Sequence, residues 1–379
     1  MANVREINRI EELEDYRAAW RGLLDATPRA SFFQSLEWLE AYWRHYGKHQ
    51  KLRVLLAIGD DGALVGILPL VVRWETTRLG RLRYLTYPLD YWGSFYGPIG
   101  GEPRAILDAG LSHVARARRD WDAIELRWTG VDEFDPSDAP ATLKAHGLHS
   151  CRTMIDRTAL IRLEDTTWEE YLVSRGTKWR NNFRRWERRA ADLGEITHLR
   201  YRPQGEAHGD GEPRWDLYEA CLSLAERSWQ GSSQTGTTLS HSSVRDFLRD
   251  AHAAAARAGG LDLNLLLAGG QPVAFAYNYC QRGYVFGLRI GYDEQNSKLA
   301  LGNILYARVF EDSFRRGDSI YDMGPNHIEA KQSLLTEVHP IFRYSHFCGR
   351  SLRGQLVRLK RLWDSQDVAP STSTAAVEA

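Results

Sequence analysis

Residues 261–331 constrain the fold more than any other part of this chain, because they present an ordered series of elements with little room for rearrangement. Residues 263–268 form an apolar run, Gly269-Gly270 is a hairpin turn signal, and residues 272–280 read as the returning strand. Residues 284–292 supply a third strand. A polar, small-residue loop over 293–301 then gives way to a helix opening at Gly302, with Ile304, Leu305, Ala307, Val309, Phe310 and Phe314 at helical spacing. A short strand ending Tyr321-Asp322-Met323-Gly324-Pro325 completes the series. A loop that feeds a helix N-terminus favours an anion, since the first amides lack internal partners and the macrodipole is positive there. Ser297, Lys298, Leu299, Ala300, Leu301, Gly302 and Asn303 are therefore expected to hold a phosphate-bearing ligand such as a pyrophosphate.

The chain has 379 residues, 43% of them hydrophobic, which is too long for one ordinary core and sufficient for two. The first part repeats the order of the second without identity-level similarity. It reads as a helix near 10–24 stopped by Pro28, a helix at 36–45, a hairpin of 52–58 and 63–72, a strand near 79–85, a helix at 104–117 and a strand at 123–128. The expected division is 1–165, 166–363 and a Ser/Thr/Ala-rich disordered tail at 364–379. Lys+Arg and Asp+Glu are equal at 49 each, so no global charge points to nucleic acid. Cys151, Cys221, Cys280 and Cys348 are widely spaced, which suits reduced thiols and neither a disulfide frame nor a metal site. The charged N-terminus does not read as a secretory signal. The longest apolar run, 64–72, is strand-sized and interrupted by Gly66 and Pro69, so no transmembrane segment is predicted and the expected location is cytoplasmic.

Several segments together carry a family resemblance: Ser228-Trp229-Gln230-Gly231, the helix 242–258 closing on Gly259-Gly260, Gln271-Pro272-Val273-Ala274, Tyr292-Asp293-Glu294, Leu301-Gly302-Asn303, and Asp322-Met323-Gly324-Pro325 with Lys331. Over roughly residues 30–350 the chain resembles the CelD/BcsL-type acetyltransferases of the GNAT superfamily, which are close in plan to the Fem-type peptidyltransferases. The resemblance implies an α/β (α+β) fold of tandem GNAT-like domains, each a mixed, largely antiparallel sheet flanked by helices. It places an acyl donor, acetyl-CoA, in the second domain. Many relatives carry Ser-Pro-Gly where this chain has Ala300-Leu301-Gly302, and losing the proline leaves the helix start less rigid.

Within the linking segment 177–193, Trp179, Phe183, Trp186, Ala190 and Leu193 recur at helical spacing, while Arg180, Asn181, Arg184, Arg185, Arg188 and Arg189 occupy much of the remaining surface. Such a helix is either a solvated face with its aromatics buried against a domain, or a cationic wall. The anion for that wall would be the CoA 3′-phosphate, a tRNA or an acidic polysaccharide precursor.

The chemistry implied is direct acyl transfer, which needs a deprotonated amine or hydroxyl, a polarised carbonyl and a protonated leaving group. Gly283, Gly287 and Gly291 make residues 284–292 the candidate strand for backbone polarisation, although the same glycines would also relieve crowding or form a bulge. The resemblance to Fem-type enzymes puts Lys331 near the reacting carbonyl, with Asp322 as its polar companion. No tyrosine lies between Pro325 and Thr336, which leaves Tyr292, Tyr306 or water to protonate the leaving group. Glu294 is a weaker candidate base, and His327, His339 and His346 lack metal-site spacing. Trp229, Tyr277, Tyr279 and Arg289 are expected around the acceptor, as is the aromatic loop of Tyr87, Tyr91, Trp92 and Tyr96, although aromatics at strand spacing are more often core.

The expected function is acyl-CoA-dependent N- or O-acyl transfer, most simply of acetyl, to a small or sugar-containing acceptor in cellulose, exopolysaccharide or envelope biosynthesis. A Fem-like aminoacyl-tRNA-dependent transferase is one alternative, against which the neutral charge argues mildly. A non-catalytic accessory protein of polysaccharide synthesis is another.

Overall fold

The fold, obtained as a computed structural model, describes residues 3–89, 92–130, 134–325 and 327–366, with backbone alone for 362 and 364–366. Tyr91 and residues 367–379 of the expected tail lie outside these residues. The first half runs β1 (Asn3–Ile7), α1 (Arg17–Ala26), α2 (Leu36–Tyr46), β2 (Gln50–Ile58), β3 (Leu64–Thr77), β4 (Gly80–Thr86), α3 (Pro103–Arg116), β5 (Ala123–Thr129), α4 (Ala139–Ala145) and β6 (Cys151–Arg162). Two linking helices, α5 (Trp168–Ser174) and α6 (Gly176–Ala190), follow. The second half repeats the plan as β7 (Ile196–Tyr201), α7 (Trp215–Glu226), α8 (Arg245–Ala258), β8 (Leu261–Ala268), β9 (Gln271–Gln281), β10 (Tyr284–Tyr292), α9 (Leu301–Arg316), β11 (Ile320–Pro325), α10 (Ile328–Lys331) and β12 (Glu337–Phe347). A last helix, α11 (Leu352–Gln366), extends past the expected start of the tail at residue 364.

The twelve strands of the described residues form one sheet in the order β1-β2-β3-β4-β5-β12-β6-β11-β10-β9-β8-β7. Each half contributes four antiparallel strands and a fifth in parallel pairing, β4 with β5 and β10 with β11. The final strands are exchanged: β6 pairs with β11 of the second half, β12 pairs with β5 of the first, and the two pair with each other at the centre. The architectural repeat is therefore real, and its halves are interlocked.

Local chemistry accounts for the second half. Gly269 and Gly270 both take positive φ (54° and 78°), the geometry of a tight hairpin between β8 and β9. On one face of this sheet, α9 buries Leu301, Ile304, Leu305, Val309 and Phe310 against Ala274, Ala276 and Tyr321. The other face packs on α7, α8 and the first half, where Phe33 meets Phe286 at 5.8 Å and Trp38 meets Phe247 at 5.4 Å between ring centroids. Among the described residues no helix is long and apolar enough to cross a membrane, and no group of His, Cys, Asp and Glu is placed to hold a metal.

Candidate active site

The site is organised by the point at which β10 and β11 part. Their parallel ladder covers Tyr284–Phe286 opposite Ile320–Asp322 and then ends, while β10 continues to Tyr292 on β9 alone. At the parting point β10 is bulged, its register on β9 shifting between Gly287 and Arg289 at Leu288. Of the three glycines expected to admit a ligand, Gly287 permits close approach of the strands: a methyl there would stand 2.7 Å from the Asp322 carbonyl oxygen. Gly291 makes room for the Phe275 ring, and Gly283 turns the chain into β10. Relief of crowding thus explains the glycines, and the opening comes from the bulge and the ladder's end.

The widening gap leads toward the expected phosphate loop. Ala300 precedes α9 with φ 55° and no side-chain cap. A left-handed alanine costs about 1 kcal/mol, a local strain of the kind that clusters at functional positions. Its carbonyl accepts the Asn303 and Ile304 amides, while the Leu301 and Gly302 amides have no backbone partner among the described residues. The Leu301 side chain is buried in the core, so only its amide can face a ligand. Ser297 and Lys298 are exposed.

The basic helix α6 lies against α9 and the 294–299 turn. Trp179 and Ala190 are buried and Phe183 and Trp186 half-buried, the Trp179 and Phe183 rings stacking at 5.5 Å, whereas Leu193 is exposed beyond the packed face. Glu187, the helix's carboxylate, pairs with Arg308. Arg184, Arg185, Arg188 and Arg189 are exposed and have no carboxylate partner among the described residues.

At the opposite end of the gap, Asp322 and Lys331 hold one turn from two sides. The buried Asp322 Oδ1 accepts the Thr158 hydroxyl and, at 2.7 Å, the Gly324 amide. Lys331 Nζ donates to the Gly324 carbonyl at 2.8 Å and the Pro325 carbonyl at 3.1 Å. Burial pushes the Asp322 carboxyl up to about 6, against the pull of its Thr158 and Gly324 hydrogen bonds and of Lys331. Burial also lowers the Lys331 ammonium to about 8, although the Asp322 and Asp156 charges raise it. If both charged forms are needed, kcat/KM should fall on the acid side as Asp322 protonates near pH 6 and on the alkaline side as Lys331 loses its proton near pH 8. A profile flat through both values would show that neither protonation matters to turnover.

Beside Asp322, on the face away from α9, Tyr284 and Phe286 stack at 4.2 Å and form the β10 wall of a small cavity of about 50 Å³. Its first-half wall includes Arg29, Phe95 and Trp128, all with positive φ, and Phe134, over whose ring Arg29 lies at 4.3 Å. The buried Tyr96 and Tyr284 hydroxyls have no hydrogen-bond partner among the described residues. Phe134 also contacts His339 at 4.3 Å, and His339 in turn bonds Glu337 at 2.9 Å.

Other expected site residues are placed differently. Tyr277 and Tyr279 are fully buried in the core, Tyr277 bonded to His252 at 3.0 Å, so these strand-spaced aromatics do not line an acceptor pocket. Tyr292 stands at the far end of β10 with its ring 3.3 Å from where a Gly302 methyl would lie, about 20 Å of strand beyond the level of Asp322. It belongs with the phosphate loop and not with the Asp322–Lys331 pair. Tyr306 stacks on Phe310 at 5.3 Å, and Glu294 is exposed. Trp229 is exposed on its turn. Arg289 crosses between the halves, its guanidinium 4.2 Å from the Trp92 ring and donating to the Thr237 and Leu288 carbonyls, and burial lowers it to about 10. Tyr87 and Tyr96 pack together at 5.1 Å. Tyr96 of the expected aromatic loop does line the cavity, whereas Thr158, Phe95, Trp128, Phe134, Tyr284 and Phe286 were not predicted as site residues; they meet Asp322 and β10 only through the strand exchange and the interface of the halves.

This geometry agrees with comparisons to known proteins. The acetyltransferase (GNAT) domain family matches residues 177–332, which span the loop before α9, the parting strands and Lys331. In three dimensions the chain is similar to the crystal structure of FemX, with 14% identity, a TM-score of 0.59 and coverage of 94% of this chain and 99% of that one. A conserved protein of unknown function from Bacteroides thetaiotaomicron VPI-5482 also shares the fold, with 14% identity, a TM-score of 0.52 and coverage of 91% and 100%. No curated protein sequence matches this chain. Residues 177–332 thus resemble a GNAT-type acetyltransferase domain, set within a mixed α/β sheet flanked by helices that shares its fold with these structures.

Proposed function

We propose that this chain is an acyl-CoA-dependent acyltransferase, most simply an acetyltransferase, acting on an acceptor bound between units 1–165 and 166–363. The observation that carries the reading is the parted β10–β11 ladder running from the bulge at Leu288 to an uncapped helix start. The Leu301 and Gly302 amides would take the pyrophosphate, with Ser297, Lys298 and Asn303 beside them. The donor supplies an activated acyl group. The acceptor's lone pair forms the new bond to the acyl carbon as the carbon–sulfur bond breaks; the acceptor gives up a proton and the departing sulfur takes one.

Lys331 is assigned the developing oxyanion, and Asp322 is assigned to fix the Gly324-Pro325 turn that Lys331 also holds. The small aromatic cavity, where the Tyr96 and Tyr284 hydroxyls have no partner among the described residues, would meet a polar edge of the acceptor and not a whole ring. An acceptor from cellulose, exopolysaccharide or envelope synthesis rests on the family resemblance. The exposed arginines of α6, which lack carboxylate partners among the described residues, support a second reading, Fem-like transfer from aminoacyl-tRNA, because they form a cationic surface beside the donor loop.

Titration with acetyl-CoA tests the proposal. Binding should weaken with added salt, and Arg184→Gln/Arg185→Gln/Arg188→Gln should flatten that dependence with little change in melting temperature, since exposed charges stabilise a fold little. A chain that ignores acetyl-CoA but retains charged tRNA would establish the second reading instead.

A further inference from the structure

Helix α11 has two unlike faces. Val357 and Gly354 are buried against the body, the Gln355 amide donates to the Phe347 and Cys348 carbonyls, and Arg361 donates to Glu125 at 2.6 Å and to Ser345 at 2.9 Å. The opposite face carries Leu352, Leu356, Leu359 and Trp363, spaced four, three and four residues apart and therefore on one stripe. These side chains are 83%, 53%, 62% and 73% exposed. The helix is fastened on one side and leaves a row of three leucines and a tryptophan in water on the other.

The charge around the stripe is of one sign. Between Gly349 and Trp363 the chain has Arg350, Arg353, Arg358, Lys360 and Arg361 and no carboxylate. Arg353 and Lys360 each follow a stripe leucine by one residue, and neither has a carboxylate partner among the described residues. The neighbouring β3–β4 hairpin continues this character: a methyl on Gly80 would stand 4.0 Å from Arg353 Cδ, Leu79 and Trp74 are exposed, and Arg81 lies over the Trp74 ring at 5.2 Å.

We propose that α11 is a binding face for anionic phospholipid, which seats the chain on a negatively charged membrane surface without crossing it. An apolar stripe edged by cations and ending in tryptophan matches the interface of such a bilayer, where acyl chains cover the leucines and headgroups meet the arginine and lysine. A second copy of the chain offers no such match, because this stretch of the helix has no carboxylate to meet the flanking cations.

Co-sedimentation of the full chain with vesicles tests this. The protein should pellet with vesicles containing phosphatidylglycerol, stay in solution with phosphatidylcholine alone, and be released by salt. Leu356→Glu/Leu359→Glu should abolish pelleting without altering the melting temperature, since both positions are exposed. Arg353→Gln/Lys360→Gln should lower the partition coefficient about 25-fold, two cations each contributing about fivefold at an anionic surface. Wild-type protein remaining in solution with phosphatidylglycerol vesicles, or pelleting unchanged in the Leu356→Glu/Leu359→Glu variant, would overturn the proposal. A dimer in light scattering that this variant converts to monomer would overturn it too, in favour of self-association.

Discussion

Lys331→Met should lower turnover by about 10² to 10³, or roughly 2.7–4 kcal/mol of transition-state stabilisation, while acetyl-CoA affinity stays nearly constant. Methionine preserves most of the side chain's length and its packing but cannot donate to the Gly324 and Pro325 carbonyls or oppose a developing negative charge. Lys331→Arg keeps the charge and should recover part of the rate if charge is what matters. The assay follows thiol release from acetyl-CoA with mixed amino sugars and polyamines as acceptors. Wild-type turnover in the methionine variant would remove Lys331 from the chemistry. Asp322→Asn should be milder, because an amide oxygen can still accept from Thr158 and Gly324 and so preserve the turn.

Gly302→Glu should weaken acetyl-CoA binding by at least about 100-fold while leaving the fold intact. A carboxylate in the first turn of α9 satisfies the helix dipole itself, so stability is unchanged or slightly raised, and the same charge repels a pyrophosphate from the Leu301 and Gly302 amides. Its first carbon must pass 3.3 Å from the Tyr292 ring, a contact that a small ring movement relieves. Gly302→Gln separates bulk from charge and should show a smaller loss. Calorimetric titration measures both, and unchanged affinity in folded Gly302→Glu would exclude this loop from the donor site.

The elements that the sequence made legible are those whose side chains face uniform surroundings. Strands β8 and β9 are buried through most of their length and β10 at its start, so their apolar runs and glycine turns identify them to within a residue or two. Helix α9 is as clear, its apolar period reporting one packed face. Strands β6 and β12 left no such mark. β6 scatters Arg152, Asp156, Arg157 and Arg162 among apolar residues without a period of two, and β12 contains His339, Pro340 and Arg343, because both lie between the two halves and change neighbours along their length.

The site was legible where it is local and obscure where it is not. Asp322, Lys331 and Gly302 lie within one contiguous stretch; the loop-to-helix order singled out Gly302, the family resemblance singled out Asp322 and Lys331, and the last two are found on one turn. Thr158, 164 residues from Asp322, reaches it only through the exchanged strand. Tyr277 and Tyr279 mislead for a simple reason: a period-two aromatic pattern is identical whether the strand faces a ligand or a core.

The exchange of β6 and β12 also orders events during synthesis. When the first half has left the ribosome its sheet is still open at β5, and β6 has no partner strand within its own half to shelter against. Both edges close only after residues 337–347 emerge, so two unpaired strand edges persist through translation of the second half. The Asp322 clamp forms in that same late interval, when β11 first meets β6. A nascent chain halted before β12 would therefore hold a complete donor strand pair and an unfinished sheet, and would depend on chaperones until its last strand arrived.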